Sequence, residues 1–143
     1  DPNATLFRLG AAVVDSLGGE VRVEQLARYV EYWVLRLQGV YPSILACHRC
    51  GGDVSGGGRL DPSGGGLSCL GCATDGGLAL STASVSFLRA AAGTAPAQAS
   101  GLTLPVHAAR ELERAHRQLI SNHLEKDLRS MRVLRAMTRG MRT

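Results

Sequence analysis

The chain has 143 residues, 45% of them hydrophobic and 20% charged, which suits one small globular domain or two very small ones. Its apolar runs are only a few residues long, which excludes a membrane-spanning helix of about 20 apolar residues, and no signal peptide is readable. The formal charge of +4 is unevenly spread: residues 1–104 carry seven Arg against eight acids (net −1), and residues 105–143 carry nine basic groups against four acids (net +5). A polyanionic partner is therefore expected at the tail. The chain starts Asp1-Pro2 with no initiator Met, which reads as a fragment or a processed product.

In chain order, Leu6, Leu9, Val13 and Leu17 recur at helical spacing and predict a helix over 4–17, ended by Gly18-Gly19. Val23, Leu26, Ala27, Val30, Trp33, Val34 and Leu37 predict an amphipathic helix over 21–37, stopped by Gly39 and Pro42. On that stripe Trp33 belongs to the core, while Tyr29 and Tyr32 lie nearer the polar side. Eleven of the 18 glycines fall between Gly51 and Gly77. Ordering so many glycines costs backbone entropy without burying side chains, so something other than a hydrophobic core is expected to organise this segment. A helix is predicted over 81–92, with Ser81 or Thr82 as N-cap, Val85, Leu88 and Ala92 on one face, and Gly93 at its end. Residues 93–104 read as a loop or linker. Pro105 can open a last helix over 106–124 with Leu112, Ala115, Leu119, Ile120 and His123 or Leu124 on its apolar face, continuing through Leu128, Met131, Leu134 and Met137 or Met141 directly or after a bend near 125–127. The expected architecture is mostly α: one helical domain over 1–143, carrying a zinc-ribbon-like insert at 44–77 that contains short strands.

All four cysteines lie in the insert, as Cys47-His48-Arg49-Cys50, eighteen residues, then Cys69-Leu70-Gly71-Cys72. Two C-x2-C turns each bring two thiolates onto one ion, and together they complete the tetrahedron that zinc prefers. Binding free energy on the order of 10 kcal/mol, as in zinc-finger peptides, would supply the missing organiser. Four sulfurs leave no open position, so one structural zinc per chain is expected rather than a catalytic one, with His48 an exposed residue between ligands. The alternatives are two disulfides, which need an oxidising compartment, and a redox C-x2-C pair, which expects a strand–helix context and a single pair.

Lys126, Arg129, Arg132, Arg135, Arg139 and Arg142 recur every three or four residues in the tail. On a helix most of them are expected along one slowly drifting face, opposite Leu128, Met131 and Leu134, where they could track phosphates or receive an acidic peptide. The alternative is a solvated helix face. None of the six aromatic residues lies in this tail, so base stacking there is not expected. His107, His116 and His123 lack a third ligand or paired carboxylate and read as surface or satisfied core residues. No nucleophile elbow, zinc-protease or phosphate-loop motif occurs, and the chain is not expected to be an enzyme.

The ordered combination of features resembles the C-terminal portion of the RecO family of bacterial DNA-repair proteins. The residues that carry it are Leu37-Gln38-Gly39-Val40-Tyr41-Pro42 at a helix end, the C-x2-C pairs after it, the Leu80-Ser81 helix, and the terminal Leu119-Ile120-Ser121-Asn122-His123-Leu124 and Leu128-Arg129-Ser130-Met131-Arg132. The resemblance implies a cytoplasmic, nucleoid-associated recombination mediator without turnover. It would bind single- and double-stranded DNA without sequence preference, anneal strands, and act with RecR and the tail of single-strand-binding protein in loading RecA. The family's N-terminal OB-fold has no counterpart in this chain. A zinc-ribbon module that receives an acidic peptide, or a transcription or translation accessory factor, are the competing readings.

Overall fold

The computed structural model describes residues 23–61, 65–73 and 76–142; the helix expected over 4–17 lies outside them. Helix α1 (Val23–Leu37) has Glu24 in its first turn and Arg36 in its last, each favourable to the helix dipole. It ends where Gly39 adopts φ +72° and the amides of Gly39 and Val40 fold back onto the carbonyls of Arg36 and Leu35 at 3.0 and 2.9 Å, a left-handed cap that favours glycine. The buried face of α1 is rotated from the predicted stripe. Leu26, Tyr29, Tyr32 and Leu35 are buried, with Tyr29 at 0% exposure, whereas Val23 is exposed and Trp33 only half-buried. Both tyrosines thus belong to the core. Burial becomes possible because the polar tips find partners: Tyr29 Oη donates to the Thr94 carbonyl at 2.6 Å, and Tyr32 Oη accepts from Arg36 at 3.2 Å.

A three-stranded antiparallel sheet follows, ordered β2-β1-β3, with β1 at Gly58–Asp61, β2 at Gly66–Cys69 and β3 at Leu78–Leu80. Leu60 pairs with Leu67 on one side and Leu78 on the other. The sheet therefore reaches past the expected insert end at 77. It also contradicts the expectation of a segment without apolar packing: Val54, Leu60, Leu67 and Leu80 are buried and join the same core as the helices. Glycines beside these side chains let the strands approach closely. At Gly57 (φ +99°), for example, a Cβ would lie 2.8 Å from the Leu80 carbonyl oxygen.

Helix α2 (Thr82–Ala92) is capped by Ser81, whose hydroxyl accepts from the Ser84 amide at 3.3 Å. Its buried face is Val85, Phe87, Leu88 and Ala91. The expected linker over 93–104 is partly ordered as a 3-10 helix (Pro96–Gly101), held when Gln25 donates to the Ala99 carbonyl at 3.2 Å. Helix α3 (Val106–Arg142) runs 37 residues without the bend considered near 125–127, a length of about 56 Å. Ala108, Ala109, Leu112, Ala115, His116 and Leu119 bury its first half against α1, α2 and the sheet. Beyond Leu119 the apolar residues emerge into solvent: Ile120 and Leu124, expected on the buried face, are exposed. Among the described residues no helix is long and apolar enough to cross a membrane.

Candidate metal centre and basic helix

The fold brings the four sulfurs together. The Sγ atoms of Cys47, Cys50, Cys69 and Cys72 all lie within 4.8 Å of one another, and those of Cys50 and Cys69 are 3.8 Å apart. With Zn–S bonds of about 2.3 Å, the edge of a tetrahedron is about 3.8 Å, so the cluster needs little adjustment to close on an ion. All four are free thiols.

Local backbone geometry builds the first knuckle. The Cys47 amide donates to the Gly52 carbonyl and the Gly51 amide to the Cys47 carbonyl, both at 2.8 Å, with Gly51 at φ +72°. This tight turn aims the Arg49 amide at Cys47 Sγ (3.4 Å) and the Gly52 amide at Cys50 Sγ (3.3 Å), partial positive charge that favours thiolate. In the second knuckle the amides of Cys72 and Ala73 turn back onto the Cys69 carbonyl at 3.1 and 2.9 Å. The two knuckles meet through β2, where the His48 amide donates to the Leu67 carbonyl at 2.9 Å. His48 itself is exposed and outside the sulfur cluster.

Electrostatics fit a dication. Hydrogen bonds from the Cys69 and Cys50 backbone pull the Cys47 thiol down to about 6, while hydrogen bonds to the Cys69 and Cys50 sulfurs push Cys72 up to about 12. Without an ion the sulfurs must share protons, and a dication bound by four thiolates removes that repulsion. Four soft sulfur donors suit a structural zinc, and with all four bound such an ion would have no position left for substrate.

Helix α3 places Lys126, Arg129, Arg132, Arg135 and Arg139 in solvent, but not on one face opposite the apolar residues. A step of three residues falls short of a full turn by about 60°, so the series winds around the helix from Lys126 to Arg135. Arg132, Arg135 and Arg139 then share a face with Leu124, Leu128 and Met131. The same phase recovers three basic residues that the tail-centred reading passed over, Arg110, Arg114 and Arg117, all exposed. The result is one outer face, within about 100° of arc and about 44 Å long, that reads arginine, apolar, arginine. Glu113 holds Arg117 at 2.7 Å and Glu125 holds Arg129 at 2.8 Å.

His116 is a satisfied core residue. It has 0% exposure, with Nδ1 3.0 Å from Glu31 Oε1 and Nε2 2.9 Å from Tyr41 Oη. Burial holds its pKa below the usual value, against the upward pull of Glu31. The ring is therefore neutral: Nδ1–H donates to the carboxylate, which can only accept, and the tyrosine hydroxyl donates to Nε2. The Glu31 carboxylate is also 3.0 Å from Arg28. Sequence spacing could not pair Glu31 with His116, 85 positions apart. His123 packs 3.6 Å from Asp127 and His107 is exposed, so the three histidines form no site.

A model of the family described as Recombination protein O C terminal matches residues 1–132. The chain is 34% identical to the DNA repair protein RecO of Anaeromyxobacter sp. (strain K) over 137 residues, 93% of this chain and 54% of that protein. It is 30% identical to the RecO of Synechococcus sp. (strain JA-2-3B'a(2-13)) over 125 residues, 85% of this chain and 44% of that protein. It thus spans about half the length of the curated relatives it matches. The chain belongs to the Recombination protein O C-terminal family.

Proposed function

We propose that this chain is the zinc-stabilised helical module of a cytoplasmic DNA-repair mediator, one that binds DNA without sequence preference and acts by holding strands and partners rather than by turnover. The observation that carries the reading is the family match over residues 1–132, joined to the arginine-rich outer face of α3. Cys47, Cys50, Cys69 and Cys72 would hold one zinc, which fixes the two knuckles on the core and supplies no chemistry of its own. The arginines of α3 would neutralise phosphates of single- or double-stranded DNA. Strand annealing, and work with RecR and single-strand-binding protein in RecA loading, are the wider activity in which such a module would serve.

A second reading is favoured by a specific cleft. An apolar hollow of about 220 Å3 between Tyr32, Tyr41 and Ile44 is rimmed by Arg36 and Arg89. Two guanidiniums over an apolar floor suit the end of a short acidic peptide such as the tail of single-strand-binding protein.

Titration of labelled DNA against salt tests the first reading. Neutralising about five phosphates gives a log–log slope of about −3.5 on single strands and about −4.5 on duplex. Arg132→Ala/Arg135→Ala should flatten the single-strand slope by about 1.4. Binding that ignores both salt and these substitutions would remove α3 from the DNA surface. For the second reading, Arg36→Ala and Arg89→Ala should weaken an acidic-tail peptide and leave the DNA slope unchanged.

A further inference from the structure

The distal half of α3 raises a problem that phosphate binding does not solve. Leu124, Leu128 and Met131 are each at least half exposed, and Leu134 is exposed beside them. Phosphates would engage the arginines and leave this apolar strip in water, with nothing among the described residues covering it. In proteins most of a helix's stability comes from packing an apolar face against a partner. The strip lies in the middle of the outer face, with Arg110, Arg114 and Arg117 towards one end and Arg132, Arg135 and Arg139 towards the other.

Charge decides what fits. A second copy paired antiparallel about Leu128 would bring Arg117 level with Arg139 of the other helix, like against like, at a cost that its short apolar strip would have to offset. An anionic membrane surface favours aromatic anchors, and the distal half of α3 has no Trp, Tyr or Phe. A helix with carboxylates towards its ends and apolar side chains at its middle satisfies both the strip and the flanking guanidiniums. We propose that the outer face of α3 is a docking surface for such an acidic amphipathic helix of a partner protein. The proposal deepens the adaptor role above and rests on that reading: protein and DNA would compete for the same arginines, and only the protein would use Leu128 and Met131.

The test uses the full chain and three probes: a synthetic helical peptide of about four heptads with Leu at its centre and Glu towards both ends, the same peptide with Ser in place of Leu, and a single-stranded oligonucleotide. Wild type should bind the Leu peptide at least about tenfold more tightly than the Ser peptide, the scale of one or two buried anchors. Leu128→Ser/Met131→Ser, with helicity checked by circular dichroism, should lose that discrimination while its DNA titration stays unchanged. Arg132→Ala/Arg135→Ala should weaken both ligands. Equal binding of the two peptides by wild type, or unchanged discrimination in the Leu128→Ser/Met131→Ser variant, would overturn the proposal. So would a concentration-dependent dimer, or binding to phosphatidylserine vesicles, that this variant abolishes. DNA binding lost with peptide discrimination intact would instead strike the repair reading and leave the docking surface standing.

Discussion

The insert and the helical body solve the same problem of order by different means. The body buries whole helix faces: Leu112, Ala115 and Leu119 of α3 share one core with Leu26, Tyr29 and Leu35 of α1, and His116, taken inside, is paired on both ring nitrogens. Among the described residues the insert buries Ile44, Val54, Leu60 and Leu67, with Leu80 just past its expected end, in a glycine-rich stretch, and it gathers four thiols at its edge. Packing anchors the sheet to the body, and the sulfur cluster closes the knuckles that packing leaves open. On the zinc reading proposed above, the insert's stability would depend on an ion and the body's would not.

The largest expected effect breaks the insert alone. On the zinc reading, a chelator, or Cys47→Ser/Cys72→Ser, should withdraw binding free energy on the order of 10 kcal/mol. Amide exchange should accelerate across β1 and β2 and remain slow in α1; equal acceleration in both would mean that the body depends on the ion as well. Next, Leu112→Ala should cost about 2–5 kcal/mol in thermal or chemical denaturation, a cavity in the shared core.

The pH dependence separates the regions further. His116 has a folded pKa below its usual value, so the unfolded state takes up the proton first. Its contribution is complete above about pH 6.5 and is lost as pH falls from there towards the folded pKa. Stability should fall with a slope of up to about 1.4 kcal/mol per pH unit for this one group. His116→Gln should flatten that slope, and an unchanged slope would assign it elsewhere. Smaller again, Ser81→Ala should cost about 1 kcal/mol by removing the α2 cap. The Glu111 carboxylate also accepts from the Ser81 amide and the Ser84 hydroxyl, at 2.9 and 2.6 Å, so a double substitution with Glu111→Gln should be non-additive. The smallest effect belongs to distal α3, where Leu128→Ala should change stability by no more than about 0.5 kcal/mol.

Much of this was legible in the residues. C-x2-C spacing announced the sulfur cluster, Gly39 and Pro42 marked the end of α1, Ser81 its cap on α2, and Pro105 the start of α3. The missed features depend on tertiary partners. Tyr29 looked peripheral because hydropathy cannot foresee the carbonyl at residue 94 that accepts from its phenol, whereas Tyr32 pairs locally with Arg36, one turn on, and was misplaced because hydropathy ranks a phenol as polar. The insert's apolar packing was hidden because Val54, Leu60 and Leu67 are isolated among glycines and meet only when strands pair. His116 showed no signal, since Glu31 and Tyr41 are distant in sequence. The arginine face of α3 was half seen: spacing found Arg132, Arg135 and Arg139, but helical phase over the whole of α3 was needed to add Arg110, Arg114 and Arg117 and to set Leu128 among them.

The most direct measurement is the metal content of the full chain purified without chelator, read together with its free thiols. One zinc per chain, with all four thiols becoming reactive only after the metal is removed, is the result expected of an insert closed by an ion. A metal-free protein with Cys50 and Cys69 joined as a disulfide would contradict it, and with it the contrast between the two regions.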